Sequence, residues 1–445
     1  MLTSTTQTAP KKYTVKREEN RILFLADVNS NQFRWCLADC LERGYEDVVL
    51  DLSRCESAFP NGVLPVITSV DNLRHDGLDV SVILPAHSYL QRLFLNSNWA
   101  YLLEPGTYPE STTVHPGHVP ARRFRNAEQQ HRLVGEALQV LLGGIASLQR
   151  DDIGALEWSI NEITDNVLTH ADSPLGGVLQ VSTFKKTRKV AVGVADSGRG
   201  IPESLRESYP ELTDDADAIY KALEAGVTRH SDIGQGNGLA GALRIATMSE
   251  GSIEITSGRA SVVYRNGEST PYKRGPRLTF HGTFVYLDID LDTSFDLSEA
   301  LDFGTGPHRP VDVVEAIYET DDGSAVRLRL RDERVGFGSR MAGNQIRNKS
   351  LNLLNAEPDK PLLLDWAGVP LISSSFADEL VGKLFAELGP LSFSARVRNT
   401  GMRPVVHGLI DKAIMQRAGQ TFARTRKQAE PQSAVAADTA GPADE

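Results

Sequence analysis

The sequence predicts an α/β protein in three parts, a layered α+β unit in the middle with a small α/β module on either side. Three observations carry this. Strand and helix patterns alternate over residues 13–105 and again over 308–417. Between them, over 126–295, two long helical patterns lead into strands that follow one another through short turns. A stretch rich in Pro, Gly and Thr, 106–125, reads as the linker between the first module and the central unit.

In the first module "RILFLAD", "DVVLDLS" and "VSVIL" read as strands. "NQFRWCLADCLERG", "NGVLPVITSVDNLRHDG" and "SYLQRLFLNSNWAYLL" read as helices, the first ending at Gly44. The central unit opens with helices over 126–149 and 152–171, followed by the strands "GVLQVSTFK" and "KVAVGVAD". A long irregular stretch runs to about 238, then a helix "LAGALRIATMSE" and strands "SIEITSG", "ASVVYRN" and "GTFVYLDIDL". In the third part "AVRLRLRDE", "PLLLDWAG" and "LSFSARVRN" read as strands. "PVDVVEAIYE", "SRMAGNQIRNKSLNLL", "SSSFADELVGKLFAELG" and "MRPVVHGLIDKAIMQR" read as helices, the third with a serine cap. The first dozen residues and the tail, 418–445, are polar or Ala/Pro/Asp-rich and are expected to be disordered.

Composition narrows the function classes. The chain has 445 residues and a formal net charge of −11, which argues against broad nucleic-acid binding. No apolar run is long enough to span a membrane, and the N-terminus lacks the apolar segment of a secretory signal. Cys36, Cys40 and Cys55 lie in the first module with no convincing further ligands nearby, so they read as buried, reduced core residues. These features point to the cytosol.

Four short motifs in the central unit carry chemistry. In "EWSINEITDNVLTHA", Ile153, Leu156, Ile160, Ile163 and Val167 form an apolar stripe, while Glu162, Asn166 and His170 recur every four residues on a polar one. A carboxylate one turn from an amide suits a hard cation and a water. The amide oxygen can ligate Mg²⁺ and the carboxylate can polarise an attacking water. In "AVGVADSGRGIP" a strand ends at Asp196, placed to project from the sheet edge. Gly198 and Gly200 remove Cβ atoms where the chain turns and a planar ligand could approach. A carboxylate there can accept from an exocyclic amine such as that of adenine. In "SDIGQGNGLAGAL", Gly234, Gly236 and Gly238 precede a helix opening at Leu239, a loop whose N–H groups can wrap phosphates. In "HGTFVYLDIDL", Thr283 starts a strand, and its hydroxyl could join Asp196 through a shared water. Taken singly, each motif also fits a bland reading: a solvated helix face, a tight turn, a glycine-rich loop, a β-prone threonine.

In this order the four resemble the boxes of the ATP-binding domain shared by gyrase, heat-shock chaperones, histidine kinases and mismatch-repair ATPases, the GHKL superfamily. The resemblance covers residues 126–293 and implies a Bergerat-type α+β sandwich that binds ATP with Mg²⁺. It assigns Glu162 and Asn166 to the first box and Asp196, Gly198 and Gly200 to the second. Gly234, Gly236, Gly238 and Leu239 fall in the third, and Thr283 closes the set. It further implies that the glycines of "ADSGRGIP" lie against adenine with Asp196 reading its amino group. Asn166 would hold Mg²⁺, and a lid would span about Pro202 to Ile233 with Arg229 or His230 reaching a γ-phosphate. His131 stands roughly where a histidine kinase carries its phosphoacceptor, but no Glu-Leu-Arg-Thr-Pro run follows. The Glu162–Asn166–His170 spacing looks closer to that of anti-sigma-factor serine kinases, where the glutamate is the base.

Those kinases act on small STAS domains. "LLLDWAGVPLISSSFADELVGKLF" resembles a STAS-like module, with Ser373, Ser374 and Ser375 at the helix start where a phosphoacceptor would stand. "VVLDLSRCESAFPNGVLPVITSV" resembles one more weakly, and its helix start carries Pro60, Asn61 and Gly62 instead of serine. The resemblance thus implies an ATP-dependent regulator, a GHKL-type ATPase or serine kinase that switches protein partners through its STAS-like modules. The alternative is a nucleotide sensor without phosphoryl transfer to protein. GHKL domains often dimerise, so a homodimer stays open. A topoisomerase-like, DNA-acting ATPase is disfavoured by the acidic charge and by the lack of a transducer domain.

Overall fold

The structure, a computed structural model, describes residues 13–111, 117–184, 186–227, 236–303, 313–333 and 336–429. The chain divides into two compact units, residues 1–312 and 313–445.

The first unit opens with β1 (Val15–Glu18), β2 (Arg21–Phe24), α1 (Ser30–Glu42), β3 (Asp47–Asp51), α2 (Pro60–His75), β4 (Asp79–Ile83), α3 (Ser88–Asn96) and α4 (Trp99–Leu103). The strands form a sheet in the order β1-β2-β3-β4, the last three parallel. The single helix expected over 88–103 is two. Asn98 adopts a left-handed conformation (φ 66°) between them, and its side chain donates to the Ala121 carbonyl at 2.8 Å and accepts from Ser111 N at 2.9 Å. Cys36, Cys40 and Cys55 are buried and unbridged, and burial pushes all three thiols up, Cys36 and Cys55 to about 11.

The unit continues through β5 (His118–Phe124), α5 (Ala127–Gly144), α6 (Arg150–His170), β6 (Gly177–Phe184), β7 (Lys189–Asp196), α7 (Ile201–Arg206) and α8 (Asp215–Ala222). It closes with α9 (Gly238–Met248), β8 (Ser252–Gly258), β9 (Ala260–Arg265), β10 (Glu268–Lys273), β11 (Phe280–Asp290) and α10 (Leu297–Ala300). Seven strands make an antiparallel sheet in the order β10-β9-β8-β11-β7-β6-β5. Three features differ from the sequence expectation. Residues 118–124, read as the end of a linker, are an edge strand whose register slips between Val119 and Arg122. Pro120 lies in that slip and cannot donate to a ladder, and such a residue disguises a strand. The edge strand β10 was missed for a similar reason, being exposed throughout with Pro271 in its middle. The stretch read as irregular contains α7 and α8; Asp214 caps α8 by accepting from Ala216 N at 2.8 Å.

One face of the seven-stranded sheet carries the site and the other carries the first module. Side chains alternate along β7. Val194 and Asp196 line a cavity on the first face. Gly193 and Ala195 meet the module on the second: a Cβ at Gly193 would stand 2.7 Å from Leu64 of α2, and Ala195 joins the core that Leu64, Phe94 and Trp99 build. The uninterrupted apolar run "VAVGVA" is that of a strand covered on both faces. Polar groups tie the two sheets together. Trp99 Nε1 donates to Gln180 Oε1 at 2.8 Å, and Arg123 pairs with Asp71 through bonds of 2.9 and 2.8 Å. Because module and sheet share a core, Leu64→Ala lowers stability by about 2–5 kcal/mol. Urea unfolding monitored on strands β6 and β7 would register this loss; an unchanged midpoint would mean the module rests on the sheet without stabilising it.

The second unit comprises α11 (Val313–Tyr318), β12 (Val326–Arg329), α12 (Arg340–Ala356), β13 (Leu362–Asp365) and α13 (Ser374–Ala377). After a π turn over Asp378–Gly382 come α14 (Lys383–Leu388), α15 (Pro390–Arg396), β14 (Val397–Thr400) and α16 (Pro404–Ala429). Strands β12, β13 and β14 form a parallel sheet in chain order. "LSFSARVRN", expected as a strand, is mostly helix. Gly389 (φ 76°) ends one helix, Pro390 opens the next with its fixed φ, and the strand starts only at Val397. Helix α16 runs past the expected tail boundary at 418 to Ala429, and residues 430–445 lie outside the described residues. Ser373 caps the helix that follows it, accepting from Phe376 N at 3.0 Å.

Candidate functional site

The polar stripe of α6 faces a cavity of about 290 Å³. Helix α6 forms because Gln149 and Asp152 close a capping box at its start and the stripe from Ile153 to Val167 is buried. Glu162, Asn166 and His170 then line the cavity together, with Trp158 one turn earlier on the same face. That tryptophan was not singled out in the sequence, although its spacing from Glu162 announces it.

Asp196 closes β7. It does not project from a sheet edge: β7 is a central strand and Asp196 is 2% exposed. Burial pushes its carboxyl up to about 7, against hydrogen bonds from the backbone of Gly198 (2.8 Å to Oδ1) and Thr283. The loop that follows folds back on β11. Gly200 (φ 81°) lines the cavity, and a Cβ there would stand 2.7 Å from Ser257 Oγ and 2.8 Å from the Gly282 carbonyl. Gly198 serves differently. Its α-carbon lies against the Ala171 carbonyl at the end of α6, and it is absent from the cavity lining. Ser257 fastens the turn, accepting from Ile201 N at 2.9 Å and donating to the Gly282 carbonyl at 2.8 Å. Nothing in "SIEITSG" marks this serine, because its role depends on two loops distant in sequence. Thr283 lines the cavity 3.3 Å from Ser257 Oγ.

Gly236, Gly238 and Leu239 line the opposite wall. Gly238 begins α9, and a Cβ there would meet Glu162 Oε2 at 2.5 Å, so the glycine lets the helix start lie against the carboxylate without displacing it. The Asn237 side chain makes no cap to α9; its Oδ1 accepts from Gly226 N at 3.0 Å. The first N–H groups of α9 therefore receive no side-chain cap at a dipole end that favours anions. Burial pushes the Glu162 carboxyl up, and the nearby Asp165 charge adds to this. Asn166 Nδ2 is buried with no hydrogen-bond partner, so this N–H₂ keeps a donor free for an acceptor oxygen of a ligand in the cavity. Among the described residues no group of three or more His, Cys, Asp and Glu could hold a metal ion by itself. A cation here would be shared between Asn166 and oxygens of the ligand. Gly234, Arg229 and His230 lie outside the described residues. His131 is exposed on α5 and does not line the cavity.

A carboxylate buried at a strand end, a carboxylate–amide pair on one helix and a glycine-led helix start without a cap from Asn237 are thus gathered around one cavity. Residues 151–292 match the family model of histidine kinase-, DNA gyrase B-, and HSP90-like ATPases. Residues 342–406 match that of a STAS-like domain of unknown function. The chain therefore carries a GHKL ATPase domain, a type that binds ATP, followed by a STAS-like domain, a type that suggests protein interactions. No curated protein matches the chain. Among the described residues no helix is long and apolar enough to cross a membrane.

Proposed function

We propose that the chain is an ATP-dependent regulatory protein that binds Mg²⁺-ATP in the α6–α9 cavity and switches a protein partner through its STAS-like domain. The observation that carries the reading is the cavity itself, where Glu162, Asn166, Asp196, Gly200, Gly238 and Thr283 converge from four elements, α6, β7, α9 and β11, and the loop after β7. Asp196 accepts from the adenine amino group, and the uncapped start of α9 receives phosphate oxygens. Asn166 holds Mg²⁺, which supplies charge neutralisation at the phosphates. Glu162 takes the proton from the hydroxyl that attacks the γ-phosphate, and its raised pKa keeps it basic enough to do so near neutral pH.

The acceptor is either water or a serine. Of the three serines at the start of α13, Ser373 is engaged as the cap and bonds Ser375 at 3.0 Å, whereas Ser374 is exposed. A phosphate added at a helix start is electrostatically favoured, so Ser374 is the acceptor within this chain. The test is incubation with Mg²⁺ and ATP labelled on its γ-phosphate, following label on protein and free phosphate together. Label that vanishes in Ser374→Ala establishes self-phosphorylation there. Free phosphate alone establishes an ATPase or a kinase for another chain. Neither product, together with no ATP uptake in calorimetry, would sink the reading.

A further inference from the structure

Helices α6 and α9 meet through two pairings of a glycine with a large side chain. Gly238 of α9 faces Glu162, and Gly241, one turn on, faces Trp158, one turn earlier on α6, so the helices run in opposite directions. The second pairing is the tighter. A Cβ at Gly241 would overlap Cη2 of the indole and stand 2.5 and 2.9 Å from Cζ3 and Cζ2. Gly241 is buried and Trp158 is 5% exposed, so the ring has no open space to swing into. The later turns of α9 are fastened. Arg244 donates to the carbonyls of Glu299 (2.7 Å) and Asp302 (2.5 Å), and Leu297 of α10 fills the space that Gly154 of α6 leaves open. A change in the fit at Gly241 is therefore taken up by the first turn of α9, which carries Gly238.

The indole N–H of Trp158 is buried with no hydrogen-bond partner, a cost that phenylalanine at 158 would not carry. What the indole adds over phenylalanine is reach, and the atoms that supply it are those pressed on Gly241. We propose that the Trp158–Gly241 contact is a spacer and Gly241 a positioning residue, which sets the gap between Glu162 and the start of α9 where the γ-phosphate of ATP is held. This rests on the ATP reading of the cavity. Gly241 does not line the cavity and acts through Gly238 on the same helix. The spacer works in both directions. A methyl added at 241 wedges the helix start away from Glu162, and a shorter ring at 158 removes the stop that keeps it in place.

Calorimetric titration of the full chain, with Mg²⁺ and either ADP or the non-hydrolysable imido analogue of ATP, reads this gap without any turnover. The ratio of the two affinities reports the γ-phosphate contacts. A displaced helix start loses a charge-assisted hydrogen bond, so Gly241→Ala lowers the ratio about tenfold. Trp158→Phe lowers it too, and the double variant recovers most of it, because the methyl takes the space the lost ring leaves. A purely structural contact would lower the unfolding temperature of the single variants and leave the ratio alone. Should Gly241→Ala fold poorly, Trp158→Phe against the double variant carries the same comparison. An unchanged ratio in the folded single variants, or a lowered ratio that the double variant does not recover, overturns the proposal. A wild type that binds both nucleotides equally also overturns it and leaves the ATP reading standing. A wild type that binds neither overturns the ATP reading and the proposal with it.

Discussion

Asp196→Asn lowers the affinity for ATP by about a hundredfold. In the proposed ATP complex the wild-type carboxylate offers an oxygen to the exocyclic amine of adenine while Oδ1 accepts from Gly198 N at 2.8 Å. Asparagine keeps the second bond but turns an N–H₂ donor toward the amine, also a donor. A charge-assisted bond is lost and two buried donors face each other, and each loss costs on the order of 1–3 kcal/mol. The substitution also changes the pH profile. The Asp196 carboxyl is pushed up to about 7, above its unfolded value, so the folded nucleotide-free protein binds a proton that the unfolded chain releases. Its contribution to stability is fully present below the unfolded pKa and disappears as pH rises through about 7. Asp196→Asn removes that slope. The sign for ATP is opposite. The amine favours the ionised carboxylate, so affinity rises with pH up to about 7 and binding releases a proton near pH 6. Calorimetry in two buffers of different ionisation enthalpy measures that proton. Equal heats in both, or unaltered affinity in Asp196→Asn, would show that Asp196 does not read the base.

Why Asp196 could be found in the sequence and Ser257 could not is a matter of range. Local chemistry is legible: the four-residue spacing of Glu162, Asn166 and His170, the glycines around Asp196 and the glycines before Leu239 are written within single turns or loops. So are the capping serine before α13 and the apolar stripe of α6. What escapes is set by contacts between distant segments. The first module reads as a separate domain because its own strands and helices are regular. Only Gly193, a gap in a strand of branched residues, hints that Leu64 enters there. The edge strands β5 and β10 carry proline and hide their ladders, because an edge needs only one side of its hydrogen bonds. Asn98 splits a helix through partners 13 and 23 residues away. Ser257 is ordinary until the loop after Asp196 closes over β11. Phe303 lies past every motif, yet it lines the same cavity with the Arg244 guanidinium over its ring.

Glu162→Gln tests the chemistry separately from binding. Glutamine matches glutamate in size, so the close approach of Gly238 survives, and Asn166 one turn away is untouched. ATP affinity should change by less than about threefold, whereas turnover falls about 10²–10⁴-fold, the usual contribution of a positioned base. The environment supports a base over a purely electrostatic role. Burial and the Asp165 charge both push the Glu162 carboxyl up, which raises its proton affinity in the resting site. The acid limb of the rate profile therefore lies above that of an ordinary glutamate. Glu162→Gln abolishes that limb along with the rate. Product analysis with γ-labelled ATP adds the decisive distinction. If protein label and free phosphate fall by the same factor, one base serves both acceptors and the acceptor is chosen by what enters the cavity. If free phosphate falls and protein label persists, Glu162 activates water only. A serine would then have to be deprotonated by another titratable group of the cavity wall, Asp165 or His170. A variant that turns over at the wild-type rate would mean Glu162 is not the base and would leave a nucleotide-binding switch in place of an enzyme.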